Sequence, residues 1–278
     1  MRKRVYSIIL ILALLLTCTA AAEDAQEPEP VRLPIVMYHH ISKDPARWNE
    51  YVVSVDEFAS DMDYLAAHGW QSVSVRQLLD WYDGKFEMPE KPFMLTFDDG
   101  CDSTAAYAEP IVAGHGFTGV VAVIGSVCQL YSEFDEHEPE YDSLSWQDAA
   151  ELASRGVIEV QCHTWDMHEL YPRNGCARRR GEGLTQYRRA LSEDLSKYLQ
   201  ACEKYGVDAV PSIAFPYGAF NSDTIDAVRD MGFLAAFTCS EWVNVLAGEP
   251  DELFRLARFN RPHGVSSEKF FADWEEKP

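Results

Sequence analysis

Residues 92–100 read PFMLTFDDG. The apolar run from Phe93 to Phe97 carries two adjacent carboxylates, Asp98 and Asp99, to a point where Gly100 can turn the chain, so the segment reads as a strand with acid at its carboxyl end. Unbroken rather than alternating apolar character marks a strand covered on both faces, as in parallel sheets. Two neighbouring carboxylates are costly there, because like charges raise one pKa unless a cation intervenes. Three readings follow: a metal-associated pair, a proton-sharing dyad, or an Asp-Asp-Gly turn that caps the next helix.

Outward from this stretch the same kind of run recurs. LPIVMYH (33–39), WQSVSV (70–75), GVVAVI (119–124), VIEVQCH (157–163), SIAFPYG (212–218) and LAAFTC (234–239) read as strands. Amphipathic spacing predicts helices over 56–68, 76–82, 103–114, 145–155, 184–205, 222–231 and 266–275. Ser54 with Glu57 and Ser74 with Gln77 have capping-box spacing, and Gly69, Gly84, Gly116, Gly156 and Gly206 sit where helices should stop. Apolar strands separated by helices run parallel with the helices outside, so the class is α/β, and about seven strands predict a distorted (β/α) barrel. Two loops, SEFDEHEPEYDS (132–143) and the arginine-rich PRNGCARRRGEG (172–183), read as solvated excursions.

The N-terminus has another character. MRKRVYS carries three positive charges, and IILILALLLTCTAAA after it is apolar and ends in small residues, the layout of a secretory signal over 1–22. Cleavage near Ala22 is expected, with lipoprotein-type anchoring at Cys18 as the lesser alternative and an uncleaved anchor as another. An acidic, proline-containing linker, 23–32, separates it from one large domain, 33–278. The reading is a secreted or cell-surface protein with no transmembrane helix after cleavage, expected as a monomer. Hydrophobic residues make up 47% and aromatics 12%, enough for a full core, while the net charge of −21 argues against nucleic acid and favours a neutral or cationic substrate. Outside the signal lie Cys101, Cys128, Cys162, Cys176, Cys202 and Cys239; a domain this large needs no disulfide staples, so most are expected as buried thiols.

VIEVQCHTWDMH (157–168) puts His163 at the end of a strand and His168 five residues later. Five residues on a regular helix or strand point two side chains apart, so both could meet one ion only across a bend. Alone, His163 would read as a core histidine and His168 as an exposed loop residue. Beside Asp98 and Asp99 they read as a metal site, since imidazole and carboxylate are preferred ligands of catalytic zinc.

TFDDG, a strand ending in His-Thr with a second histidine shortly after, and then FPYG together resemble the polysaccharide deacetylase (NodB-homology) family. The similarity extends from LPIVMYHHIS (33–42) through RFNRPHG (258–264), and the order of the motifs is more specific than any one of them. The resemblance implies that Asp98 is the general base and that Asp99, His163 and His168 are the metal triad, with three protein ligands leaving a position open for water. It implies that the ion polarises the acetyl carbonyl and acidifies the attacking water, and that the Tyr217 amide, beside Pro216, helps hold the tetrahedral oxyanion. As a turn alone, FPYG would mean only punctuation. Zn²⁺ is the expected ion, with Co²⁺, Ni²⁺, Mn²⁺ or Fe²⁺ as alternatives.

Ordinary members space the histidines by four and take the general acid from a C-terminal histidine after an apolar strand. Here the spacing is five and no such strand is visible before His263, a pattern closer to deacetylases of poly-N-acetylglucosamine, in which the acid comes from the N-terminal strand. His39 matches that position, with His40 and His263 as rivals. The arginine usual ahead of Pro-Tyr is replaced by Ser212-Ile213-Ala214, and Arg258 is the substitute partner for Asp98, unless it is a surface cation. Tyr217 and Trp242 offer apolar faces to sugar rings and Trp165 lies between the two histidines; core anchoring is the other reading of these aromatics. The expected function is removal of acetyl groups from an N-acetylated, N-acetylglucosamine-type polysaccharide or wall glycan. Rival readings are an O-acetyl esterase, a non-catalytic carbohydrate-binding protein and a glycoside hydrolase.

Overall fold

The computed structural model describes residues 30–134 and 138–276. The expected signal at 1–22 and all but the end of the expected linker lie outside the described residues. That end is already folded: β1 (Val31–Leu33) lies antiparallel to a strand near the C-terminus, with Val31 opposite Leu246. The domain therefore begins before Leu33, because a three-residue strand is too short to announce itself by periodicity.

In chain order, β2 (Ile35–Tyr38), β3 (His40–Ser42) and β4 (Val52–Ser54) lead to α1 (Val55–Ala67), followed by β5 (Gln71–Ser72), α2 (Val75–Tyr82) and β6 (Pro92–Phe97). The helix expected at 103–114 opens with a π-helical turn, Thr104–Ala108, and continues as α3 (Glu109–Gly114); Pro110, which has no N–H to donate, follows the change of register. Next come β7 (Gly119–Val123), α4 (Gly125–Tyr131), α5 (Trp146–Arg155), β8 (Ile158–Cys162), α6 (Leu184–Tyr205), β9 (Ser212–Ala214) and α7 (Ser222–Asp230). The chain ends with β10 (Ala235–Phe237), β11 (Asn244–Leu246), β12 (Phe259–Asn260) and α8 (Ser267–Glu276). Both expected capping boxes form, Ser54 with Glu57 and Ser74 with Gln77, and Gly156 and Gly206 end α5 and α6 in the left-handed conformation.

Seven strands form one curled parallel path in the order β10-β9-β8-β7-β6-β2-β12. This is the expected barrel with one exchange: β5 pairs only with the first two residues of β6, off the path, and β12 takes an edge place. β12 is the strand that the sequence did not reveal ahead of His263, since two residues carry no pattern. The edges of the sheet meet through one segment. Leu256 exchanges hydrogen bonds with Ala236 and Thr238 beyond β10, and Phe259–Asn260 lies alongside Val36–Met37 of β2.

β2, β6, β7, β9 and β10 are buried along their length, and Tyr38, Phe58 and Phe97 pack ring to ring between the sheet and α1. Cys128, Cys162, Cys176 and Cys202 are buried thiols, Cys101 is half-buried and Cys239 exposed, all unbridged. No described helix is long and apolar enough to cross a membrane.

The two loops expected to be solvated are docked instead. In 172–183, Cys176 is fully buried, Arg173 makes a forked pair with Glu182, and Arg178 pairs with Asp223. Arg173, Arg178 and Arg179 thus find acids in the loop itself and on α7. In 132–143, of which 135–137 lie outside the described residues, Glu140 accepts hydrogen bonds from Ser42, the Lys43 amide and Tyr107.

Candidate active site

Because the strands run parallel, their carboxyl ends open on one face, and a cavity of about 520 Å³ lies there. Met37 and His39 reach it from β2, Asp98 and Asp99 from β6, His163 and His168 from the segment after β8, and Tyr217 from the turn after β9. Cys239 follows β10, Asn260 ends β12, and Glu50 with Tyr51 precedes β4. The sequence placed six of these residues at the site; Glu50, Tyr51, Met37, Cys239 and Asn260 were not among them, and only the curl of the sheet brings them in.

Three non-glycine residues in the described chain have positive φ, and all are at this cavity or beside it: Asp99 (68°), Thr164 (70°) and Tyr217 (58°). Such backbone costs energy and survives only where its surroundings impose it. At Asp99 its effect is direct. Asp99 and Gly100 turn in succession, with Gly100 against Val123 at a distance that leaves little room for a side chain, and the two carboxylates part company.

Asp98 turns inward to Arg258. Nη1 and Nη2 donate to Oδ1 and Oδ2 at 2.7 and 2.8 Å, and Nε donates to the Thr238 carbonyl at 2.9 Å. Both partners are buried, so Arg258 is no surface cation. Burial alone would push the Asp98 carboxyl up; the Arg258 guanidinium, helped by His163, outweighs it and holds the acid below the usual carboxylate range. With both oxygens engaged by a guanidinium, Asp98 and Asp99 do not share a proton.

Asp99 turns to the histidines. Its Oδ1 lies 3.4 Å from His163 Nε2 and 3.2 Å from His168 Nε2, and it has no hydrogen bond although buried. Burial raises this carboxyl, but the two imidazoles outweigh it and hold it well below its usual range. His163 Nδ1 donates to the Ala214 carbonyl at 2.8 Å, which leaves Nε2 as the ring nitrogen turned to Asp99. His168 Nδ1 meets the Tyr217 hydroxyl at 3.2 Å. The bend required by the five-residue spacing is at Thr164. One carboxylate and two imidazole nitrogens thus converge within 4.8 Å of one another, a donor set that suits a divalent cation.

Of the three candidate acids, only His39 lines the cavity. Its Nδ1 is buried without a partner, and its ring packs edge-on against Tyr51. Burial lowers its pKa, with Asp98 and Asp99 pulling in the opposite direction. His40 is buried against Ser103 Oγ, and His263 is held by Glu57 at 2.7 Å with its ring tilted against Trp48. Among the aromatics, Tyr217 lines the cavity and is 44% exposed, enough to offer a face to a ligand. Trp165 packs on Trp146 in the core, and Trp242 is exposed outside the cavity wall. In the Pro216–Gly218 turn the amides of Gly218 and Ala219 are spent on Phe215 O and Pro216 O. The Tyr217 amide is outside these bonds.

The family model described as polysaccharide deacetylase matches residues 85–236. A poly-beta-1,6-N-acetyl-D-glucosamine N-deacetylase of Escherichia coli is 25% identical over 262 residues, covering 86% of this chain and 38% of that relative. The protein of the same name from Staphylococcus aureus is 25% identical over 193 residues, 69% of this chain and 62% of its own length. The chain thus spans less than two thirds of these curated relatives. A solved de-N-acetylase from Aggregatibacter actinomycetemcomitans shares the fold, with a TM-score of 0.70 at 23% identity, covering 87% of this chain and 98% of that one.

Proposed function

This chain belongs to the polysaccharide deacetylase family, and from that premise we propose that it is a metal-dependent hydrolase removing acetyl groups from an N-acetylglucosamine-type polysaccharide or wall glycan. The observation that carries the reading is the convergence of Asp99, His163 and His168 next to the Asp98–Arg258 pair in a single cavity. Asp99 Oδ1, His163 Nε2 and His168 Nε2 would hold the ion, with Zn²⁺ first in expectation and Co²⁺, Ni²⁺, Mn²⁺ or Fe²⁺ behind it. When bound, it supplies Lewis acidity to the acetyl carbonyl and to water.

The chain's own groups then divide the work. Asp98, kept ionised by Arg258, takes the proton from the attacking water. The Tyr217 amide, in a turn of left-handed backbone, serves as the oxyanion donor, and a donor of this kind contributes about 10²-fold to 10³-fold. His39, its Nδ1 free of other partners, delivers a proton to the departing nitrogen. Tyr51 and Tyr217 offer apolar faces for pyranose rings. The names of the curated relatives support a β-1,6-linked N-acetylglucosamine polymer as substrate. The signal-like residues 1–22 support an exported or cell-surface location, where such polymers lie.

The test is acetate release from poly-β-1,6-N-acetylglucosamine, chitooligosaccharides and acetylxylan, before and after chelation. Release from the first two that stops with EDTA and returns with Zn²⁺ is expected. Release from acetylxylan alone would make the protein an O-acetyl esterase, chain cleavage without acetate a glycosidase, and undiminished turnover after full metal removal would end the proposal.

A further inference from the structure

Asp194 is out of place by the rules of its own helix. The buried stripe of α6 runs Tyr187, Leu191, Asp194, Leu195, Tyr198, Ala201 and Cys202, and in this apolar series Asp194 is 8% exposed. Buried carboxylates need partners, and here they are two consecutive backbone amides. Trp165 N–H donates to Asp194 Oδ1 and Asp166 N–H to Oδ2, each at 2.8 Å.

Those amides belong to the bend between His163 and His168. His163 is anchored on its own strand register, its N–H bonded to Val123 O at 3.0 Å and its ring to Ala214. His168 has no strand beneath it. Its place depends on how the chain turns after Thr164, which has the left-handed φ of 70°. The turn is gripped from two sides. Gly125 N–H and Ser126 N–H donate to Thr164 O and Trp165 O at 3.0 and 2.8 Å, and Gly125 lies so close that a Cβ there would stand 2.6 Å from the Trp165 ring. On the other side Asp194 takes the two amides, and Thr164 Oγ1 accepts from Met167 N–H at 3.1 Å.

We propose that Asp194 is a positioning residue for the metal triad: by clamping the Trp165 and Asp166 amides it sets the bend that brings His168 Nε2 to the same point as His163 Nε2 and Asp99 Oδ1. It touches no ligand atom and acts through the backbone. The proposal rests on the triad being a metal site, and it explains how a five-residue spacing can serve where neither a regular helix nor a strand could.

The test measures metal binding rather than turnover. Wild type and Asp194→Ala are stripped, titrated with Co²⁺ against a chromophoric chelator, and compared in visible absorption, with circular dichroism and urea unfolding as controls for the fold. Groups that orient metal ligands typically contribute about 10-fold to 100-fold to affinity, and a loss of that size in a folded variant, with shifted Co²⁺ ligand-field bands, is expected. Asp194→Asn, which keeps one acceptor oxygen, should fall between the two. Should Asp194→Ala not fold, Gly125→Ala pushes the same bend from the opposite side through Trp165 and is expected to weaken Co²⁺ in the same way. A folded Asp194→Ala or Asp194→Asn with wild-type affinity and spectrum overturns the assignment and leaves the triad standing, whereas wild-type protein that takes up no Co²⁺ removes both.

Discussion

At the scale of single residues, the Asp98–Arg258 pair lets a carboxylate stay charged while almost wholly out of water. Removing one member of such a pair leaves the other buried and uncompensated, at a cost of roughly 3–5 kcal/mol. Arg258→Met should therefore lower unfolding free energy by about that much, measured in urea, and turnover should fall with it. Adding Asp98→Leu should recover much of the stability and none of the activity, since the apolar pair no longer needs a counter-charge. His39 is predicted to behave differently, because nothing in the fold leans on its free Nδ1. His39→Ala should keep its metal content and lose about 10²-fold to 10⁴-fold in turnover; full activity in that variant would hand the acid's role to another group.

At the scale of elements, the capping box of α1 does more than start a helix. Glu57 accepts from the Ser54 amide and hydroxyl, as the spacing predicted, and also from His263 and the Gly264 amide, so it ties the C-terminal segment to α1. Burial works to raise its pKa, but the Ser54 and Gly264 amides and His263 outweigh it and bring it down to about 2. A carboxylate depressed in the folded state stabilises above its unfolded pKa, and that contribution is lost as pH falls toward 2. The stability gap between wild type and Glu57→Gln in urea should accordingly be constant above about pH 5 and shrink steadily below about pH 4. A gap that did not change with pH would mean that the charge plays no part. The sequence made this helix legible because caps and amphipathic spacing are local. It hid β1 and β12 because strands of two or three residues are defined by partners far along the chain. It also hid the docking of 172–183, where the charge run looked free until Glu182 and Asp223 were found against it.

At the scale of the whole molecule, the site is legible where residues follow strands. Asp98, Asp99, His163 and Tyr217 each close an apolar run, and parallel topology gathers such ends on one face. Glu50, Tyr51 and Asn260 were illegible, because only the curl of the sheet brings them over the opening. Two of the triad, Asp99 and His163, follow strand ends that are already held by the sheet, so metal should add stability without being required for folding. With Zn²⁺ at about 100 times its dissociation constant, the native state gains about 2.7 kcal/mol. In a domain of this size that corresponds to roughly 5–10 °C in Tm. Chelation should remove the increment while leaving a cooperative transition, and His163→Ala should show no increment to remove. An unfolded protein after EDTA would instead place the ion among the supports of the fold.

The segment that joins β10 to β2 also carries Arg258. Closing that seam and supplying Asp98 with its guanidinium are therefore one event. Under the proposed function, a chain that has not yet laid this segment against β2 already carries Asp99, His163 and His168, yet its Asp98 stands without a guanidinium, and the site is armed only when the final seam is drawn shut.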